Sequence, residues 1–192
     1  MRESAPDGYE LRRRVEGKGD GVFALRHYQV GETILVGTIA RRLTTNHSHA
    51  TQVGRSAWVE LGGLGPKVNH SCDPNCGIRT NGSGAPDLLA RRPIVPGEEI
   101  TFDYAMRNYS VEHFPPRCRC DASNCRVRVT GWKALPAQRK AKYRDLVSSY
   151  LLEIDLEDAG VVGPGAPHQH DPEAVTAAAL AWVGQHALEP AV

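Results

Sequence analysis

The chain has 192 residues, with 23 Lys and Arg against 22 Asp and Glu and a formal net charge of +1. This length predicts one domain with its own core plus an appendage. The balanced charge gives no general field for polyanions, so strong nucleic-acid binding is not expected. The first residues lack the apolar stretch of a signal peptide, and no run is long enough to span a bilayer. We therefore expect a cytoplasmic protein without membrane association.

Short β-prone runs separated by turns fill the first half of the chain. They cover residues 22–25, 33–39, 57–61, 87–90 and 100–104. Val30-Gly31-Glu32 and Pro96-Gly97-Glu98 are turn sequences between such runs, and residues 80–86 have the composition of a hairpin loop. The pattern predicts a mainly β domain of the α+β class.

The C-terminal part has a different composition and predicts two C-terminal α-helices. From Pro136 to about Leu156 the apolar residues recur at near-helical spacing, which predicts one amphipathic helix. After a linker at residues 160–170, Asp171-Pro172-Glu173 is typical of a helix start, and the Ala-rich stretch runs on to Leu188. These helices could pack on the domain, cover its substrate side or mediate self-association, and the sequence leaves the three open.

A glycine-rich segment, Gly17-Lys18-Gly19-Asp20-Gly21, leads into the first apolar run. Three closely spaced glycines let the backbone approach a ligand. A dinucleotide-binding loop is not favoured, because the segment lacks a strand before it and a helix after it. Taken alone, it would be an ordinary glycine hairpin.

Three further motifs follow in order. They are Asn69-His70-Ser71-Cys72-Asp73-Pro74-Asn75-Cys76, then Thr101-Phe102-Asp103-Tyr104, then Cys118-x-Cys120-x4-Cys125. In this order, from about Arg14 to Trp132, the chain resembles the SET domain of protein lysine methyltransferases with its cysteine-rich post-SET tail. The resemblance implies short curved sheets and a C-terminal pseudoknot in which the strand before Tyr104 passes through the Asn-His-Ser-Cys loop. It divides the chain into a SET domain at 1–116, a zinc-binding post-SET segment at 117–132 and a helical extension at 133–192.

The resemblance also implies S-adenosyl-L-methionine as co-substrate. The residues that it assigns to cofactor binding are Lys18, Gly19, Asp20, Gly21, Asn69, His70, Tyr104 and Trp132, with Trp132 as a lid over the cofactor. Pro66 and Lys67 depart from the family, which usually has an Arg and an aromatic residue there.

The cysteines predict a structural Zn²⁺ site. Zinc prefers four thiolate or imidazole ligands, and Cys118, Cys120 and Cys125 offer three from one short loop. In the family the fourth ligand corresponds to Cys72. Cys76 would remain a free thiol, and an odd total of five cysteines suits metal binding in a reducing compartment better than disulfides.

By the same resemblance Tyr104 is the catalytic tyrosine and orients a lysine amine. Phe102 occupies the position that limits how many methyl groups fit, and a phenylalanine there predicts di- or trimethylation. The expected partner is a protein substrate that carries a lysine.

Two other functions stay open. One is methylation of free lysine or another small amine, and the other is a catalytically silent SET-like module that binds a partner. The oligomeric state is also open, with a homodimer among the alternatives. Asn46-His47-Ser48-His49 lies in the family's variable insert and is either a solvated loop or a substrate contact, whereas His168 and His170 are expected to be exposed.

Overall fold

The computed structural model describes residues 8–13, 19–48, 50–113, 117–143, 145–162 and 172–186. These residues form ten strands and three α-helices, which are β1 Tyr9–Arg13, β2 Asp20–Ala24, β3 Thr33–Leu35, β4 Ile39–Leu43, β5 Thr51–Gly54, β6 Ala57–Leu61, β7 Asn69–His70, β8 Cys76–Thr80, β9 Pro86–Ala90, β10 Thr101–Phe102, α1 Ala137–Tyr143, α2 Ser149–Asp158 and α3 Pro172–His186. Short 3₁₀ turns occupy Gly65–Lys67, Tyr104–Met106 and Trp132–Ala134. The mainly β class that we predicted is confirmed.

The strands form small sheets because glycine turns interrupt them. In the described residues the sheets have the orders β1-β2, β3-β9-β8, β4-β6-β5 and β10-β7. Gly31 and Gly97 adopt φ values of +83° and +86°, a region that other residues rarely enter, so both predicted turns form where the glycines require them. The predicted hairpin at 80–86 also forms, with β8 antiparallel to β9.

A parallel pair of two-residue strands brings the second and third motifs together. Thr101 on β10 lies opposite Asn69 on β7, and Phe102 lies opposite His70. Asn75 holds the other side of this segment, since its Nδ2 donates to the Glu99 carbonyl (2.8 Å) and its Oδ1 accepts from the Thr101 N–H (2.9 Å). The segment that leads to Tyr104 therefore passes between Asn69 and Asn75, as the predicted pseudoknot requires.

One hydrophobic core extends from the sheets into the C-terminal extension. Ile100 and Phe102 on the sheet side and Trp132, Leu151 and Val175 in the later part of the chain belong to the same buried cluster. Full burial of each such side chain is worth about 1.5–3 kcal/mol relative to exposure. The extension is therefore packed against the domain, while the boundaries at 116 and 132 stay predictions.

The single helix that we predicted from Pro136 to Leu156 is wrong, because α1 ends at Tyr143 and α2 begins at Ser149. The three helices of the described residues thus replace the two that we expected. Between α1 and α2 the chain bonds to the domain: Ile78 N donates to the Leu146 carbonyl (2.9 Å), and Ser148 N donates to the Met106 carbonyl (2.8 Å). These tertiary bonds override the helical spacing. None of the described helices combines the length and apolar character needed to cross a membrane.

Candidate active site

Tyr104 begins the 3₁₀ turn that follows β10, in a partly buried position near Phe102 and His70. Its ring centroid is 5.1 Å from that of Phe102 and 5.2 Å from that of His70. The hydroxyl donates to the Val68 carbonyl (3.2 Å). Burial raises the pKa of Tyr104 above its usual value of 10, although the positive charge of Arg107 opposes this. Tyr104 is therefore a neutral hydrogen-bonding phenol at physiological pH and is not poised to act as a base.

His70 is held in one tautomer by its two neighbours. Its Nδ1 accepts a hydrogen bond from the Tyr104 backbone N–H (3.2 Å), so the proton of the neutral ring is on Nε2, which lies 3.3 Å from Cys72 Sγ. Burial lowers the pKa of His70 to about 4, with Asp103 opposing part of that shift. His70 thus joins the tyrosine to the cysteine cluster as a neutral donor.

The glycine-rich segment meets the Asn-His-Ser-Cys motif directly. The Asn69 side chain donates to the Asp20 carbonyl (3.0 Å) and to Glu99 Oε1 (2.8 Å). A Cβ at Gly21 would lie 2.6 Å from Glu99 Oε1, so a larger residue there would require the glutamate side chain to move. Gly19 needs a φ of +73°. The structure therefore brings the predicted cofactor residues Gly19, Asp20, Gly21 and Asn69 together, while Lys18 lies outside the described residues.

The two residues that depart from the family have defined positions. Pro66 lies inside the 3₁₀ turn Gly65–Lys67. Lys67 Nζ is 3.2 Å from Asp20 Oδ2, which ties this turn to the glycine-rich segment. Lys67 therefore provides an ionic link at the position where the family usually has an aromatic residue.

Candidate ligand atoms from four residues, His70 among them, lie close together. His70, Cys72, Cys118 and Cys120 have candidate metal-binding atoms that all lie within 4.8 Å of one another. The sulfurs of Cys72 and Cys118 are 3.9 Å apart. Cys125 is outside that group but hydrogen-bonds with Cys118 and Cys120. Three of the four predicted zinc ligands are thus gathered, with the fourth beside them.

These thiols fit a tetrahedral zinc ion. A Zn–S distance of about 2.3 Å gives a tetrahedron with edges of about 3.8 Å, close to the 3.9 Å between Cys72 and Cys118. Burial raises the thiol pKa of Cys72 to about 11, and it also raises the pKa of Cys118 above its usual value. Burial acts in the same direction on Cys120, but hydrogen bonds from backbone N–H groups outweigh it and lower the pKa of that thiol to about 7. Buried thiols packed this closely gain from a cation that stabilises their thiolates. His70 suits the set less well, because its Nε2 carries the proton.

Cys76, the predicted free thiol, lies apart from this cluster in the core. It is fully buried, and burial raises its pKa to about 12.

Trp132, the predicted cofactor lid, is enclosed by protein. It is 1% exposed, its Nε1 donates to Asp155 Oδ2 (2.9 Å), and Lys140 Nζ lies 4.9 Å from the ring centroid. The preceding Gly131 approaches the Tyr109 carbonyl so closely that a Cβ would be 2.2 Å from it. The ring would have to move to stack on a ligand, so the lid role stays a prediction.

A small open pocket of about 70 Å³ lies in front of Tyr104. The variable insert forms one wall and the segment after Tyr104 the other; the lining residues are Asn46, His47, Ser48, Ala50, Tyr104, Arg107, Asn108, Ser110, Val111, Glu112 and His113. Asn46 and His47 of the second Asn-His string therefore do face the site, whereas His49, His168 and His170 lie outside the described residues. Both walls are polar, and one side is open to solvent.

Arg107 contributes an unusual charge to this pocket. Its guanidinium carbon lies 4.9 Å from the Phe102 ring centroid and 5.7 Å from that of Tyr104. Its Nε is buried and makes no hydrogen bond to the described residues. Burial lowers the pKa of Arg107, but a guanidinium stays protonated, so a positive charge faces the aromatic pair. No sequence pattern predicted this placement of Arg107.

A second pairing that sequence reasoning missed lies behind Tyr104. The Asp103 carboxylate is fully buried and accepts hydrogen bonds from both terminal nitrogens of Arg126, one of them at 2.9 Å. Burial lowers the pKa of Arg126, but its bonds to Asp103 raise it to above the usual value overall. Arg126 follows Cys125 and Asp103 precedes Tyr104, so this ion pair joins the cysteine loop to the segment that carries Tyr104. Only the adjacency of Arg126 to a predicted ligand hinted at it.

Comparisons with known proteins agree with this arrangement. A family model described as the SET domain matches residues 19–105. The histone-lysine N-methyltransferase Set2 of Drosophila melanogaster is 42% identical over 73 residues, which is 36% of this chain and 3% of that protein. An H3 lysine-36 specific histone-lysine N-methyltransferase of Aspergillus oryzae is 32% identical over 166 residues, which is 76% of this chain and 16% of that protein. The chain thus spans a sixth or less of these relatives.

Solved structures show the same fold. A KRYPTONITE structure in complex with mCHH DNA, an H3(1–15) peptide and SAH aligns with a TM-score of 0.50 and 24% identity, over 63% of this chain and 29% of that one. A second KRYPTONITE complex, with mCHG DNA and SAH, aligns with a TM-score of 0.51 and 23% identity, over 66% of this chain and 30% of that one.

The cytoplasmic location that we expected is contradicted by these relatives. Set2 and the H3 lysine-36 specific enzymes are named for histone lysines, and histones are chromatin proteins. The expectation rested on the lack of an apolar signal peptide and of a membrane-spanning run. Neither observation distinguishes the cytoplasm from the nucleus.

Proposed function

Residues 19–105 form a SET domain, and from this premise we propose that the protein is an S-adenosyl-L-methionine-dependent lysine methyltransferase that acts on proteins. The observation that carries the proposal is the placement of Tyr104. Its neutral phenol faces an open pocket at the point where β7 and β10 pair in parallel and the glycine-rich segment meets Asn69. A histone lysine is the first substrate class to test, because the similar proteins are named for it.

We propose that backbone groups of Gly19, Asp20, Gly21, Asn69 and His70 hold S-adenosyl-L-methionine, with Lys18, Tyr104 and Trp132 completing the site. The hydrogen bond from the Asn69 side chain to the Asp20 carbonyl supports this, since it holds the glycine-rich segment directly against Asn69. When bound, the sulfonium supplies an electrophilic methyl group.

The energetic difficulty is deprotonation of the substrate lysine. With a pKa near 10.4, its ammonium costs about 4–5 kcal/mol to convert to the neutral amine at pH 7. The guanidinium of Arg107, which lies 4.9 Å from the Phe102 ring centroid, disfavours a second positive charge beside it and so lowers the pKa of a lysine bound there. The Tyr104 phenol orients the amine nitrogen, whose lone pair forms the new N–C bond as the C–S bond breaks. Alignment of the reactants supplies much of the acceleration.

Two finer features belong to the same proposal. Zn²⁺ would be held by Cys72, Cys118, Cys120 and Cys125, and it would fix the cysteine loop against His70. Phe102 is 1% exposed and carries no hydroxyl to bond the amine, which supports formation of dimethyl- or trimethyllysine. We also propose the division of the chain into a SET domain at 1–116, a zinc-binding segment at 117–132 and a helical extension at 133–192.

Two competing functions are less well supported. A methyltransferase of free lysine would need a closed pocket, but the one in front of Tyr104 is open on one side. A silent binding module is disfavoured because Asn69, His70 and Tyr104 are all present and joined by hydrogen bonds.

The substrate class can be tested by methyl transfer. Purified zinc-loaded protein would be given radiolabelled S-adenosyl-L-methionine with recombinant core histones, a panel of other basic proteins, or free lysine. We expect label on a histone, and mass spectrometry to locate it on a lysine as dimethyl or trimethyl. Label confined to free lysine would instead establish the small-amine function. Transfer to none of them, with the cofactor bound, would favour the silent module.

A further inference from the structure

Helix α1 lies outside the matched SET domain, yet it contacts two residues that flank the active site. Tyr143 Oη donates to Asp103 Oδ2 (3.2 Å). Arg139 Nη1 donates to the Cys72 carbonyl (2.5 Å) and lies 3.4 Å from Tyr143 Oη. Arg139 and Tyr143 are four residues apart and therefore share one face of the helix. That face points toward the junction of the cysteine cluster and the segment that carries Tyr104.

The Tyr143 contact is built into the core and is not a surface contact. Tyr143 is 3% exposed, and Arg91 stacks on its ring at 4.8 Å from the centroid. Its partner Asp103 is 0% exposed. A hydrogen bond to a buried carboxylate is among the stronger ones in proteins, because no water can replace the donor.

Asp103 in turn fixes the backbone at Tyr104. Its Oδ1 accepts from Ala105 N (3.1 Å) and so caps the 3₁₀ turn Tyr104–Met106. The Tyr104 N–H at the start of this turn donates to His70 Nδ1. A rotation of the Asp103 carboxylate would therefore disturb the turn that carries the tyrosine. Tyr143 is one of the donors that prevent this rotation, and Arg126 supplies the others.

We infer that Tyr143 and Arg139 are positioning residues of the active site, through which α1 holds Tyr104 and the Cys72 loop in register. The C-terminal extension then positions active-site residues, in addition to packing against the domain. Only the catalytic readout of this inference rests on the proposed function, since the positioning of Tyr104 can be measured without turnover.

The first test is Tyr143→Phe, which removes one hydroxyl and keeps the ring. Tyr28→Phe is the matched control, because Tyr28 is also buried, but its hydroxyl lies near Gly8 and its backbone bridges to Ile94. Hydrogen exchange of the amides of Tyr104 and Ala105 is the measurement. We expect exchange there to be about tenfold faster in Tyr143→Phe, while the zinc content is unchanged. Equal exchange at these amides in the two variants would overturn the inference.

The second test uses Arg139, which bonds a carbonyl through a single nitrogen. Arg139→Lys keeps one donor and should retain the wild-type exchange at residues 70–73, whereas Arg139→Met should increase it. If Arg139→Lys does not retain the wild-type exchange, or if Arg139→Met does not increase it, the Arg139 contact has no positioning role.

Turnover supplies the last readout. With core histones as substrate we expect Tyr143→Phe to lower kcat about tenfold and to leave KM for S-adenosyl-L-methionine unchanged. If Tyr143 had only a structural role, the activity of Tyr143→Phe would instead fall in parallel with its thermal stability. Because the exchange measurement needs no methyl transfer, failure of the proposed function would leave it interpretable.

Discussion

The backbone N–H of Tyr104 donates a 3.2 Å hydrogen bond to Nδ1 of His70, although 34 residues separate the two in sequence. The bond fixes the tautomer of His70 and directs its Nε2 proton toward Cys72 Sγ. The tyrosine that faces the pocket and the cysteine cluster are thus joined through one neutral side chain. We therefore expect changes in the cysteine cluster to alter the position of Tyr104.

Metal removal should expose the ligand thiols but leave Cys76 unreactive. In zinc-loaded protein we expect little reaction of any cysteine with a thiol reagent, because four would be bound to the metal and Cys76 is buried with a pKa raised to about 12. Addition of a chelator should release four thiols, as counted by absorbance, with Cys76 reacting only on unfolding. Release of fewer than four, or unchanged reactivity after chelation, would contradict the proposed ligand set.

Val127→Gly should stabilise the zinc-loaded protein. Val127 has a φ of 66°, which a β-branched residue adopts only at a cost of about 1–2 kcal/mol, and its side chain is 58% exposed. Part of the gain is lost through the greater freedom of an unfolded glycine. We expect a net gain of about 1 kcal/mol, seen as a rise in Tm of about 2–4 °C.

Asp121→Gly is the matched control for that change. Asp121 has a similar φ of 58° in the same loop, but aspartate tolerates this conformation better than valine. We expect no gain in Tm from Asp121→Gly. An equal rise in both variants would mean that strain at Val127 is not the cause.

Arg107 should set the pH dependence of turnover. A positive charge near the bound lysine lowers the lysine pKa, so its removal in Arg107→Met should raise the pKa of the bound amine. We expect the pH at which kcat reaches half its maximum to move upward by about one unit. Arg107→Lys keeps the charge and should stay near the wild-type profile. If kcat has the same pH profile in Arg107→Met and Arg107→Lys, the charge has no such role.

Glu153 should destabilise the fold above about pH 6. Partial burial, and then the charge of Glu157, raise its pKa from 4.5 to about 6. A raised carboxyl pKa contributes stability that is fully present below pH 4.5 and is lost as pH rises through about 6. Glu153→Gln should therefore unfold at a higher temperature than wild type at pH 8. We expect a gain of at most about 1 kcal/mol, since the side chain is partly exposed.

The comparison at low pH provides the control for Glu153. At pH 4.5 the wild-type side chain is largely protonated in the folded state, so Glu153→Gln and wild type should unfold at nearly the same temperature. A difference between the two proteins that is the same at pH 4.5 and pH 8 would rule out the electrostatic explanation.

Local sequence patterns predicted the features that depend on neighbouring residues. Ala57–Leu61 forms β6 as expected, and the turns at Gly31 and Gly97 form because glycine tolerates their positive φ. The contacts between Tyr143 and Asp103 and between Arg126 and Asp103 span 40 and 23 residues, and no spacing rule links them. The break between α1 and α2 escaped prediction for the same reason, because the bonds that end the helical pattern come from Ile78 and Met106.

The central claim is that Tyr104 orients a lysine amine for methyl transfer, and a single comparison of three proteins tests it most directly. Wild type, Tyr104→Phe and Tyr28→Phe, all zinc-loaded, would be assayed with labelled S-adenosyl-L-methionine and core histones, and the binding of S-adenosylhomocysteine would be measured by calorimetry. We expect Tyr104→Phe to lose at least about a hundredfold in kcat while it still binds the product, and Tyr28→Phe to retain wild-type turnover. Transfer by Tyr104→Phe at the wild-type rate would contradict the account.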